Sequence, residues 1–184
     1  MLTMYDSVTT NEIPAEPAAI ALYLNGQYAN YDEGRKLYPR ARVLSVSVTG
    51  DTPADAYDIE HGDFTVADVP RLYNLARDHG VWRPCFYGSL DTTMPGIISA
   101  LNTVPGMKRE DIRLWVAYYN GQPDLPRVYD AHQFTNHALG RNLDESICND
   151  TFFQPVKPPA PVPADNRKAI VTVNGDKWSV EPVA

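Results

Sequence analysis

A chain of 184 residues, 43% hydrophobic and 21% charged, has room for one domain of moderate size plus an appendage, and the composition of an ordinary globular protein. Its 16 basic and 23 acidic residues give a formal charge of −7 and a pI near 5.0. With no basic run, neither a nucleic-acid groove nor bulk attraction to an anionic membrane or wall is expected.

The opening residues Met1-Leu2-Thr3-Met4-Tyr5-Asp6 hold no basic region and no apolar stretch, and no window approaches the roughly 18 consecutive apolar residues of a membrane span. The expectation is a protein made in the cytoplasm without a signal peptide, any exported role needing another route out. Cys85 and Cys148 read as buried free thiols in preference to a disulfide, and no zinc-ligand spacing is present.

In chain order, residues 2–8 read as a first strand reaching Asp6, and the proline-broken stretch 12–17 leaves little room for a long helix. Residues 19–24 are continuously apolar and stop at Asn25-Gly26, as in a strand buried on both faces. A short helix over 30–38, with Asn30 as N-cap, ends at Pro39. Residues 42–49 alternate into a third strand, and only the turn-rich stretch 50–55 separates them from the next, so a crossover helix is missing there.

That fourth strand carries Asp58-Ile59-Glu60. Side chains alternate along a strand, so the two acids share a face with Cβ atoms about 6.5–7 Å apart. In a cleft such a pair suits acid/base cleavage of a glycosidic bond; the same pair also fits a solvent-facing strand edge. Residues 65–79 predict the clearest helix, with Val66, Val69, Leu72, Tyr73 and Ala76 on one face, Thr65 or Asp68 as cap and Gly80 after the end. Residues 82–90 form a fifth strand. Thr93 caps a helix ending at Pro105-Gly106, and strands follow over 112–119, 128–134 and, shorter, near 144–149. Alternating strands and helices argue for a parallel α/β arrangement. Eight strands with helices dropping out toward the C-terminus favour a small irregular TIM-like (β/α) barrel with missing C-terminal helices over an open doubly wound sheet. Residues 1–153 are nevertheless fewer than the roughly 200 of small TIM barrels.

The tail differs. Residues 154–168 are a proline-rich linker, extended and stiff. Residues 169–184 read as a β-hairpin about Asn174-Gly175, the favoured type I′ turn. Two strands alone are marginal in water, so this arm is expected to rest on a surface, favoured here as a neighbouring chain.

Other chemistry finds less support. Asp58, Glu60, His61 and Asp63 hint at a metal, but no second cluster at ligand spacing joins them. His132 and His137 read as structural or surface residues, nothing around Cys85 marks a nucleophile, and Ser45 and Ser89 lack a nucleophile elbow. No metal and no cofactor are expected.

Taken together, Asp6 on the first strand, Asp58-Ile59-Glu60 on the fourth, Leu114-Trp115-Val116-Ala117-Tyr118 on the sixth, Ala131-His132-Gln133-Phe134-Thr135, and Asp144 after Gly140-Arg141-Asn142-Leu143 have an order that resembles glycoside hydrolase family 25, the phage and bacterial lysozymes that cleave peptidoglycan. The chain departs from that pattern in four places, one of them the missing helix between the third and fourth strands. Tyr5-Asp6-Ser7 keeps only the Asp of the opening motif, Leu24-Asn25-Gly26-Gln27 lacks the acid and the Lys of the second-strand turn, and Glu145-Ser146 replaces the segment after the closing Asp. The resemblance covers roughly residues 1–153 and implies an irregular barrel of five β/α units followed by three strands. It implies Glu60 as general acid, Asp58 and Asp144 as ionised stabilisers of developing positive charge, and Asp6 as the residue orienting them. Tyr118, Tyr119 and Trp115 would offer faces to sugar rings. The implied activity is lysozyme-like hydrolysis of peptidoglycan or another polysaccharide by a phage-derived protein. The alternative is a catalytically silent, lysozyme-like structural protein of a virion, bound to neighbours through residues 154–184.

Overall fold

The computed structural model describes residues 1–154 and the backbone of two further strands, 169–173 and 176–180. The linker from residue 155 onward and the Asn174-Gly175 turn lie outside the described residues, as does any docking of the arm.

Eight strands close into a barrel in sequence order: β1 (Leu2–Asp6), β2 (Ala19–Tyr23), β3 (Arg42–Ser47), β4 (Ala56–Asp58), β5 (Cys85–Ser89), β6 (Arg113–Ala117), β7 (Ala131–Thr135) and β8 (Asp144–Cys148). Neighbours from β1 to β7 are parallel, whereas β8 runs antiparallel to both β7 and β1 and shuts the barrel. The small α/β barrel expected from the sequence is present, and its one departure from parallel pairing is β8. Residues 136–143 are too short a connection for a crossover helix, so the chain can only double back.

Three helices cover the outside: α1 (Tyr31–Leu37), α2 (Val69–Asp78) and α3 (Met94–Leu101). None stands between β3 and β4 or after β6, so the domain has fewer β/α units than the five the resemblance implies. The caps follow the sequence closely. Thr65 and Asp68 form a reciprocal capping box on the 3-10 turn leading into α2, and Pro70 occupies its first turn, where a missing N–H costs nothing. No helix among the described residues is long and apolar enough to cross a membrane.

Strand alternation divides the core into layers. Inward residues from β1 to β8, among them Met4, Ala21, Leu44, Ala56, Trp115 and Cys148, fill the barrel, and Phe152 joins them from beyond β8. Outward residues such as Tyr57, Phe86 and Leu114 meet Leu72 and Ala76 of α2 and Ile97 and Leu101 of α3. A second outer layer joins Ile20 and Leu22 of β2 to Ile13, Tyr38 and Leu143. At the end where the parallel strands begin, Arg113 donates to the carbonyls of Arg83, Phe152 and Asp55, and Asp130 accepts from Arg83, Arg109 and the Leu114 N–H. The last two described strands, β9 (Ala169–Val173) and β10 (Asp176–Val180), pair antiparallel with each other.

Candidate active site

Residues of inward parity at the C-terminal ends of the parallel strands converge on one mouth, the end at which barrel enzymes of this architecture place their chemistry. Asp6 closes β1, Tyr23 closes β2 and Asp58 closes β4. Because β8 is antiparallel, its first residue, Asp144, arrives at the same end and stands directly opposite Asp6 in the register.

Glu60 reaches the mouth by a different route from the one its spacing suggests. The strand ends at Asp58, and Glu60 lies on the turn that follows. The Ile59 N–H donates to the Tyr87 carbonyl at 3.0 Å, which keeps the chain in strand-like alternation for one more residue. Ile59 is thereby buried in the outer layer and Glu60 turned back toward the mouth. The Asp63 N–H then donates to the Glu60 carbonyl at 3.1 Å, and Gly62 supplies the positive φ of 101° that this turn requires.

The four acids differ in setting. Asp6 is 2% exposed; its Oδ1 accepts a long bond from the Tyr23 hydroxyl at 3.4 Å, and its Oδ2 has no hydrogen-bond partner. Asp58 is 7% exposed, and its Oδ1 is likewise unpartnered. Glu60 and Asp144 are half-buried. Burial is the leading cause in every case and pushes all four carboxyls up. Asp6 is raised further by the neighbouring Asp144 carboxyl and by the charge of Asp58, with Tyr23 opposing. The charges of Glu60 and Asp63 raise Asp58, and those of Asp63 and Asp144 raise Glu60. Against burial, Asp144 has two neighbours that favour its ionised form, the Asp6 carboxyl and the Gln133 amide.

A polar chain supports Asp144 from β5 and β7. Tyr87 donates its hydroxyl to Gln133 Oε1 at 2.5 Å, which leaves the Gln133 amide nitrogen free to favour the ionised form of Asp144. Tyr23, Tyr87 and Gln133 were not singled out from the sequence as site residues. Their signal is positional, since each is an inward-facing residue near the end of a barrel strand. Beside Asp58 and Tyr23 a cavity of about 560 Å³ opens, lined also by Asn25, Tyr28, His61 and Asp63.

The three aromatic candidates part company. Tyr119 is 53% exposed and belongs to the mouth, where it senses Asp144, Glu60 and Asp6. Tyr118 is also exposed but packs outside the barrel against His132, ring centroids 6.1 Å apart. Trp115 offers no face to a sugar: it is 2% exposed inside the barrel, against Tyr87, and its Nε1 donates to Ser146 Oγ at 3.0 Å. Inward parity on a narrow barrel makes it core.

Among the described residues no three His, Cys, Asp or Glu side chains are arranged to hold a metal ion. Cys85 and Cys148 are free and buried, and burial pushes the Cys85 thiol up to about 12, which leaves it inert as a nucleophile.

No family model and no curated protein matches the chain. Its fold is similar to that of an uncharacterized B. stearothermophilus protein known from a 1.07 Å crystal structure, with a TM-score of 0.54 and 14% identity over 83% of this chain and 98% of that one. At that identity the likeness concerns the fold alone, an α/β barrel.

Proposed function

We propose that the barrel is a lysozyme-like glycoside hydrolase acting on the glycan of bacterial peptidoglycan. The reading rests on one observation: three strand ends and one turn deliver Asp6, Asp58, Asp144 and Glu60 to a single mouth. Glycoside hydrolysis needs a carboxylic acid that is still protonated near neutral pH beside a carboxylate that is ionised. Glu60 suits the first role. It is accessible enough to touch a leaving oxygen, and burial with the charges of Asp63 and Asp144 favours its protonated form. Asp144 suits the second, because hydrogen bonds support its charge.

In this scheme Glu60 gives its proton to the glycosidic oxygen as the C–O bond breaks, and the positive charge at the anomeric carbon develops in the field of Asp144. Water adds to that carbon, and the proton it loses returns to a mouth carboxylate. Asp58 is less suited to standing ionised before substrate binds, since its burial and the charges of Glu60 and Asp63 all disfavour that form. The arriving positive charge would reverse that balance. Tyr119 offers a half-exposed ring beside the acids for a sugar face.

The test is release of soluble fragments from purified peptidoglycan by the wild type and by Glu60→Gln. Hydrolysis by the wild type, reduced at least about 100-fold in Glu60→Gln, is expected for loss of a general acid. Activity that survives the substitution removes the assignment. Inactivity of both proteins favours a silent barrel that joins virion neighbours through residues 154–184.

A further inference from the structure

The antiparallel closure of the barrel has a consequence for two of the four acids. Asp6 and Asp144 are directly opposed between β1 and β8, both on the inner face. Side chains so placed have Cβ atoms about 4.5–5.5 Å apart, which brings two short carboxyls into contact. An ionised carboxylate only accepts hydrogen bonds, so two of them cannot satisfy one another. The groups facing the pair do little to relieve this. Tyr23 from β2 gives Asp6 one long bond, Gln133 from β7 serves Asp144, Asp58 and Glu60 add negative charge, and Tyr87 and Tyr119 are neutral hydroxyls. Among the described residues neither carboxyl forms an ion pair. Asp6 Oδ2 is left buried and without a partner.

One proton resolves each of these conflicts. Placed on one carboxyl, it supplies the missing donor, bonds the two side chains together and removes one of two like charges. We propose that Asp6 and Asp144 hold a single proton between them, and that Asp6 is a positioning residue which fixes the Asp144 carboxyl in the mouth. The pair then carries one negative charge in place of two, with the remaining acceptor capacity of Asp144 directed to Gln133, itself locked by Tyr87. Two carboxyls sharing a buried site titrate as a unit in two separated steps. The inference stands on the geometry of the pair, so it holds whether or not the mouth hydrolyses glycan.

The experiment reads protons, not turnover. Carboxyl carbon shifts of ¹³C-labelled aspartate are followed across pH in the full chain, for the wild type, Asp6→Asn and Asp144→Asn. In the wild type the Asp6 and Asp144 resonances should report the same two midpoints, the upper one well above the ordinary aspartate range. In Asp144→Asn the like charge is gone and an amide donor faces Asp6, so Asp6 should titrate about one pH unit or more below that upper midpoint. One independent midpoint for each residue in the wild type, or an Asp6 midpoint that the Asn does not lower, would overturn the proposal. The wild-type curves decide the matter alone should a variant fail to fold.

Discussion

Asp58 is placed at a cost to the fold. Its carboxyl is almost wholly buried, one oxygen lacks a partner, and its nearest charges are those of Glu60 and Asp63. A folded-state value raised above the unfolded one means that folding is not penalised below about pH 3.9, where the group is neutral in both states, and loses stability as pH rises through the raised value. Asp58→Asn should therefore match the wild type in acid and gain on it as pH rises, levelling at about 1–3 kcal/mol. Paired denaturant titrations at several pH values check this; a variant less stable than the wild type at neutral pH contradicts it. The Asp58-Ile59-Glu60 spacing was legible in the sequence because period-2 alternation is local information. That Trp115 is core while Tyr119, on the same parity of the same segment, belongs to the mouth was not legible, since depth along a barrel strand depends on how all eight strands stagger.

At the scale of elements, α3 lies so close to β5 that a side chain at Gly88 would run into it. A Cβ there would meet Ile97 Cδ1 at 2.8 Å and press still harder on Thr93, whose β-branched side chain has little freedom to move. Gly to Ala in a strand would ordinarily help by restricting the unfolded chain. Here the overlap decides the sign, and Gly88→Ala should destabilise by about 1–3 kcal/mol, measured as a lowered denaturation midpoint. The strands and the three helices were readable from hydrophobic runs, caps and prolines, within a residue or two at many ends. The turn that carries Glu60 and the reversal of β8 were not. Both follow from connection geometry, Gly62 with its positive φ in the first case and the short stretch 136–143 in the second.

Across the whole molecule the barrel is polarised. Acids gather at the mouth, while arginines gather at the other end around Asp130, which is 4% exposed and bonded by Arg83 at 2.7 Å and Arg109 at 2.6 Å. Asp130 also accepts from the Leu114 N–H and the Asn149 side chain, so one carboxylate ties together β6, the start of β7 and the turn beyond β8. Asp130→Ala would leave Arg83 facing the like charges of Arg109 and Arg113 with no carboxylate between them and should cost about 3–5 kcal/mol, visible as a much lower melting temperature. The satisfied ion pairs thus lie at one end of the barrel and the unpartnered carboxyl oxygens of Asp6 and Asp58 at the other.

Cleavage of glycosidic bonds with Glu60 as the acid is the reaction proposed for this mouth. The most direct measurement is the count of new reducing ends formed on purified peptidoglycan, with the products identified by mass spectrometry, for the wild type and Glu60→Gln. New sugar reducing ends are expected from the wild type, fewer as pH rises through the raised value of Glu60, and almost none from the variant. Equal release by both proteins, or wall fragments without new sugar reducing ends, would contradict that assignment.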